Sequence, residues 1–153
     1  MKLYLVRHGE AKSKEEDPER PLSEEGLADT KKVSTSVKKM KIQVSSIIHS
    51  NKLRARQTAK VFAEDLSPPD GIREVDGLEP LADPSIWFKR LTEMEKDMML
   101  VGHLPHLSRL TSHLLCQTED ERIIDFQSSG ILCLERDKTD HWSINWMIIP
   151  DLL

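Results

Sequence analysis

A three-layer α/β/α sandwich, built on a mostly parallel sheet with one antiparallel edge, is the fold class the sequence predicts. Short apolar runs at residues 3–6, 44–49 and 98–101 each read as a strand buried on both faces. Segments of helical period separate them, the alternation expected of an α/β chain. Two further strand-like segments, near residues 130–135 and 141–148, read as a closing hairpin about the polar turn 136–140.

Each element has its own local signal. Residues 10–20 are charged and read as a surface loop beside the first strand. Pro21-Leu22-Ser23-Glu24-Glu25 then opens a helix, with Ser23 able to cap free backbone N–H groups and the glutamates at the positive end of the dipole. Leu27, Val33, Val37 and Met40 mark its apolar face. The second strand ends at Ser50-Asn51, and a helix follows over residues 53–66 with Leu53, Val61, Phe62 and Leu66 as apolar positions. Ser67-Pro68-Pro69-Asp70-Gly71 stops it. Residues 72–81 read as a short acidic strand or loop. Asp83-Pro84 places an N-cap before a proline at the first helical position, starting a helix to about residue 96. Leu104, Leu107, Leu110 and Leu114 recur at spacings of three and four, the mark of an amphipathic helix.

The length of 153 residues points to one domain spanning 1–153, with no internal repeat or linker. Charge is −4, from 22 basic and 26 acidic residues, and mean hydropathy is −0.46. That balance argues against nucleic acid or an anionic membrane as partner. The N-terminal apolar run ends at Arg7, too short for a signal peptide, and no stretch approaches the roughly 20 apolar residues of a membrane span. A cytoplasmic monomer is the expectation. Cys116 and Cys133 fit neither a disulfide framework nor a zinc site and read as small buried hydrophobes.

Ligands of open α/β sheets gather beyond the carboxyl ends of the strands. There the sequence places Arg7-His8-Gly9-Glu10 after the first strand, Ser50 with Arg54 after the second, and Gly102-His103 after the third. Two arginines and two histidines thus converge on one sheet edge. Arginine offers a planar fork that grips two phosphate oxygens at once. A neutral histidine nitrogen is a competent nucleophile if its other nitrogen is held by an acceptor, and a carbonyl near Gly9 could do this. Gly9 also lacks a side chain where backbone and phosphate would approach. His103 could donate to an equatorial oxygen as charge shifts.

These residues resemble the histidine phosphatase (phosphoglycerate mutase-like) superfamily, and within it the small bacterial branch of SixA-type phosphohistidine phosphatases. The motifs carrying the resemblance are residues 3–11 (Leu-Tyr-Leu-Val-Arg-His-Gly-Glu-Ala), Arg20-Pro21-Leu22-Ser23, Ser50 with Arg54-Ala55-Arg56-Gln57-Thr58, and Val101-Gly102-His103-Leu104-Pro105. The resemblance implies a phosphoglycerate mutase-like fold with His8 as nucleophile and Arg7, Arg54 and His103 on the phosphoryl group. It further implies Gly9, Arg20 and Ser50 as substrate-binding positions, no metal and no cofactor. A phosphorylated histidine-containing protein, such as a phosphotransfer domain in signal transduction, is the implied partner.

A phosphate ester needs a proton for its leaving alkoxide, usually from a carboxylic acid. Glu74, Asp76 and Glu79 lie in the region where ester-hydrolysing relatives carry one, Glu79 nearest the expected place. A phosphohistidine relaxes that need, because imidazole is readily protonated near neutral pH. Three functions follow: a phosphohistidine phosphatase, a phosphatase of a small ester with Glu79 as acid, and a non-catalytic phosphohistidine-binding module. A mutase is disfavoured by the lack of lid insertions. Elsewhere, Arg56 reads as a solvated helix residue and His106 as a first-turn surface histidine. His49, His113 and His141 read as ordinary structural or surface residues. Trp87, Phe88, Leu91 and Met94, at helical spacing, read as core.

Overall fold

The computed structural model describes residues 1–118 and 121–153. In chain order these form β1 (Lys2–Arg7), α1 (Glu24–Lys39), β2 (Ser46–His49), α2 (Leu53–Leu66), β3 (Ile72–Glu74), α3 (Pro84–Thr92), β4 (Met98–Gly102), α4 (His106–Cys116), β5 (Ile131–Arg136) and β6 (Trp142–Ile148). A short 3-10 turn, Pro150–Leu152, follows.

The six strands make one sheet in the order β3-β2-β4-β1-β5-β6. Its first four strands run parallel, β5 is antiparallel to β1, and β6 to β5. The predicted mostly parallel sheet with an antiparallel edge is the architecture found. Side chains of successive strand residues alternate between faces, so each apolar run feeds two cores. Leu3, Leu5 and Leu100 join Trp87 and Leu91 of α3 and Leu107 and Leu110 of α4 on one face. Tyr4, Val6, Met99 and Val101 join Val33 and Val37 of α1 and Ala55 and Phe62 of α2 on the other.

Local signals hold at the helix starts. Ser23 accepts from Gly26 N–H at 3.0 Å, and Asp83 accepts from Ser85 N–H at 2.9 Å. α2 stops at Ser67, which takes the left-handed conformation at φ 46°. Four expectations need correction. Leu27 and Met40 are exposed, because the buried stripe of α1 runs through Gly26, Thr30, Val33, Ser34 and Val37. α3 ends at Thr92 rather than near residue 96. There the Arg136 guanidinium takes the carbonyls of Leu91, Thr92 and Met94, removing the need for another turn. Cys116 is exposed at the last position of α4, while Cys133 is buried as expected. His106 is fully buried rather than on the surface.

Strand register positions the chemistry. Arg7 lies level with Gly102, and His49 with Val101. The residues just beyond β1, β2 and β4 therefore emerge side by side at the carboxyl edge, with β4 in the middle.

Candidate active site

His8 leaves the end of β1 with its backbone tied to the neighbouring strand by His8 N–H donating to Gly102 O at 3.1 Å. Its ring Nδ1 lies 2.6 Å from the Gly9 carbonyl. A carbonyl only accepts, so Nδ1 carries the hydrogen and Nε2 keeps its lone pair. Arg54 Nε donates to that Nε2 at 3.4 Å. Burial pushes His8 down to about 4; the Gly9 carbonyl opposes this, and the charges of Arg54, Arg7 and Arg20 reinforce it. The ring is thus neutral at neutral pH, with its unprotonated nitrogen turned to an arginine.

His103, just beyond β4, faces His8 with ring centroids 4.9 Å apart and planes tilted by 52°. Its Nε2 is 2.5 Å from Ser50 Oγ, and its buried Nδ1 has no hydrogen-bond partner in the protein. Burial, followed by the charges of His8, Arg54 and Lys52, holds His103 down at about 2. Ser50 is itself fully buried, and its hydroxyl orients the His103 ring.

Arg7 is anchored by Nη1 donating to the Phe126 carbonyl at 2.7 Å, in the segment before β5. Arg20 sits in the left-handed region at φ 49° and is pinned by its Nε to the Lys12 carbonyl at 3.1 Å. A non-glycine residue held there is uncommon and marks a position fixed by its surroundings. Its charge is felt at both His8 and Arg54, which places it beside the same cluster.

Packing against α1 requires glycine at position 9. A Cβ there would lie 2.7 Å from Thr30 Oγ1 and 2.9 Å from the Gly26 carbonyl, so α1 occupies the space. Gly26 is equally constrained, since its Cβ would meet the Glu10 carbonyl. The two glycines let α1 press against the loop that carries His8. Glu79 is placed in its own turn, accepting Gly77 N–H at 2.9 Å. Its charge reaches His106 rather than His8.

Sequence reasoning missed three orienting residues. Thr58 accepts Gly9 N–H at 3.0 Å and donates to the Arg54 carbonyl at 2.8 Å, tying the loop that carries His8 to α2. Gln57 accepts Leu22 N–H at 2.7 Å. Both stand in the quoted Arg54–Thr58 motif, at i+3 and i+4 from Arg54, a spacing that places them near its helix face. Ser129 gave no sequence signal: its N–H donates to the Arg7 and His8 carbonyls at 3.1 and 3.3 Å. Among the described residues no group of three His, Cys, Asp or Glu side chains is set to hold a metal ion.

The chain is 26% identical to the phosphohistidine phosphatase SixA of Escherichia coli (strain K12), over 98% of this chain and 94% of that protein. Its fold matches a structure of the protein histidine phosphatase SixA complexed with tungstate at TM-score 0.87 and 24% identity, covering 99% of both chains. It also matches a putative alpha-ribazole-5'-P phosphatase from Escherichia coli at TM-score 0.82 and 15% identity, covering 98% of both. Similarity along nearly the whole chain supports a phosphatase activity. Residues 3–79, which hold His8, Arg20 and Arg54, match the model of the histidine phosphatase superfamily (branch 1), and the chain belongs to that superfamily.

Proposed function

We propose that the protein hydrolyses protein-borne phosphohistidine through a covalent intermediate on His8. The observation that carries this reading is the state of His8: Nδ1 is held by Gly9, and Nε2 is unprotonated 3.4 Å from Arg54. A module that only binds phosphohistidine has no use for such a nitrogen. In the first step a bond forms from Nε2 to phosphorus while the phosphorus–nitrogen bond of the substrate breaks. The departing imidazole takes up a proton. Water then attacks phosphorus, the bond to Nε2 breaks, the water proton passes to solvent, and phosphate leaves. Arg7, Arg54 and His103 bear on the equatorial oxygens, so the acceleration comes from positioning and charge stabilisation.

The choice of substrate class rests on the proton. The charged groups felt at His8 are Arg54, Arg7 and Arg20, and the Glu79 carboxylate is engaged by Gly77. An alkoxide leaving group would need an acid there, whereas imidazole protonates without one. The full-length similarity to a phosphohistidine phosphatase supports the same substrate class.

His8→Ala should abolish turnover of a phosphorylated histidine-phosphotransfer domain, and alkaline-quenched wild-type protein should retain label from the substrate. Full activity in His8→Ala would end the covalent mechanism. Glu79→Gln should leave phosphohistidine hydrolysis within about two-fold, a loss below roughly 0.4 kcal/mol in transition-state terms. A selective collapse on sugar phosphates would instead favour ester chemistry.

A further inference from the structure

Next to His8 and His103 lies a cleft of about 430 Å³, walled by Lys14, Glu19 and Arg20 of the loop after β1 and by Lys52 and Arg54 at the start of α2. It holds four cations and one carboxylate in a chain whose net charge is −4.

Those cations are not neutralised by the protein. Lys32, Lys38, Arg90, Lys96, Arg122 and Arg136 each lie within ion-pair distance of an aspartate. Among the described residues, Lys14, Arg20, Lys52 and Arg54 have no such partner; Arg20 and Arg54 spend Nε on the Lys12 carbonyl and on His8. The loop has acids that could serve, but several of them accept hydrogen bonds from nearby hydroxyl and backbone groups instead. Glu10 accepts from the Ser23 hydroxyl, Glu16 from Ser13, and Asp17 from Glu19 N–H. Like charges gathered without counter-charge repel, and Arg54 is held below its ordinary pKa by burial and then by Arg20. Such a cluster gains when an anion arrives.

The form of the cations selects the anion. Lys14 and Lys52 are exposed at the rim. Exposed ammonium groups are hydrated point charges on flexible stems, poor at gripping one small ion and effective at steering a charged surface. We propose that this cleft docks a carboxylate-rich segment of the protein substrate lying beside its phosphohistidine. The inference rests on the phosphohistidine reading and adds the charge of the flanking sequence as its selectivity.

Two synthetic peptides, each with one phosphorylated histidine, test it: one flanked by Glu and Asp, the other by Gln and Asn. At low ionic strength wild-type kcat/KM should favour the acidic peptide by roughly ten-fold. Added salt should shrink that gap, since at about 0.1 M the screening length is about 10 Å. The Lys14→Gln/Lys52→Gln double variant should lose the preference while holding kcat/KM on free phosphohistidine within about two-fold of wild type, a change of under roughly 0.5 kcal/mol. Equal wild-type kcat/KM on the two peptides overturns the docking inference and leaves the phosphohistidine reading standing. Hydrolysis of neither peptide overturns that reading and the inference with it. A sugar bisphosphate turned over faster than its monophosphate, with the gain lost in the double variant, also overturns it, in favour of a small dianionic substrate.

Discussion

At the scale of single residues, the proposed chemistry depends on which nitrogen of His8 holds its proton. The Gly9 carbonyl at 2.6 Å decides that, and burial together with three nearby arginines keeps a second proton off. Protonation would fill the Nε2 lone pair and end nucleophilicity. The shift is downward, so the neutral ring persists as pH falls and gains charge only near about 4, well below the ordinary value of 6.5. Histidine-ring NMR of the free protein should accordingly show His8 as the Nδ1–H tautomer, unchanged from pH 8 to 5. An inflection near 6.5 would remove the basis for a neutral nucleophile. Arg7, His8, Arg54 and His103 were legible in the sequence because each ends or directly follows a buried strand or opens the next helix. Thr58 and Ser129 were not, because a hydroxyl or a backbone N–H that holds another backbone group looks like any other until the chain is folded.

At the scale of elements, apolar runs and caps gave good bounds, and tertiary contacts set the exceptions. α2 runs from Leu53 to Leu66, the range read from its periodicity and its proline-rich stop. α3 stops early because Arg136, from the far end of β5, satisfies its last carbonyls. That side chain is only 10% exposed, so truncating it leaves the part-buried Leu91 and Met94 carbonyls unpaired. Arg136→Met should destabilise the fold by about 2–3 kcal/mol, lowering Tm by roughly 5–10 °C. Lys2 pairs with Glu135, so this end of β5 lies at the sheet edge opposite His8. Phosphatase activity of the variant at 25 °C should therefore match wild type. A parallel loss of activity would mean that α3 and the site are coupled. β3 was ambiguous in the sequence because its three residues are all exposed, which leaves no hydrophobic pattern to read.

At the scale of the whole molecule, three histidines are folded into environments that oppose their charged forms. His106 is the clearest stability case: it is fully buried, neither ring nitrogen has a hydrogen-bond partner, and burial lowers it to about 4. Glu79 and Asp83 partly offset that burial, while Arg109 adds to it. A depressed histidine pKa means the unfolded chain binds more protons between the two values. Stability is then full above about 6.5 and falls as pH drops toward about 4, by of order 3 kcal/mol from this residue. Urea midpoints should decline across that window, and His106→Leu should decline less; identical slopes would show that His106 carries no linkage. The sequence by itself determined the layered α/β architecture and the four residues that meet at one sheet edge, because strand runs and strand ends are local patterns. Burial of His106, exposure of Leu27 and Cys116, the packing role of Gly9 and the convergence of cations from two separate segments on one cleft were decided only by tertiary structure. Each depends on which remote segment lies against a residue, and that is settled by packing rather than by neighbours in the chain.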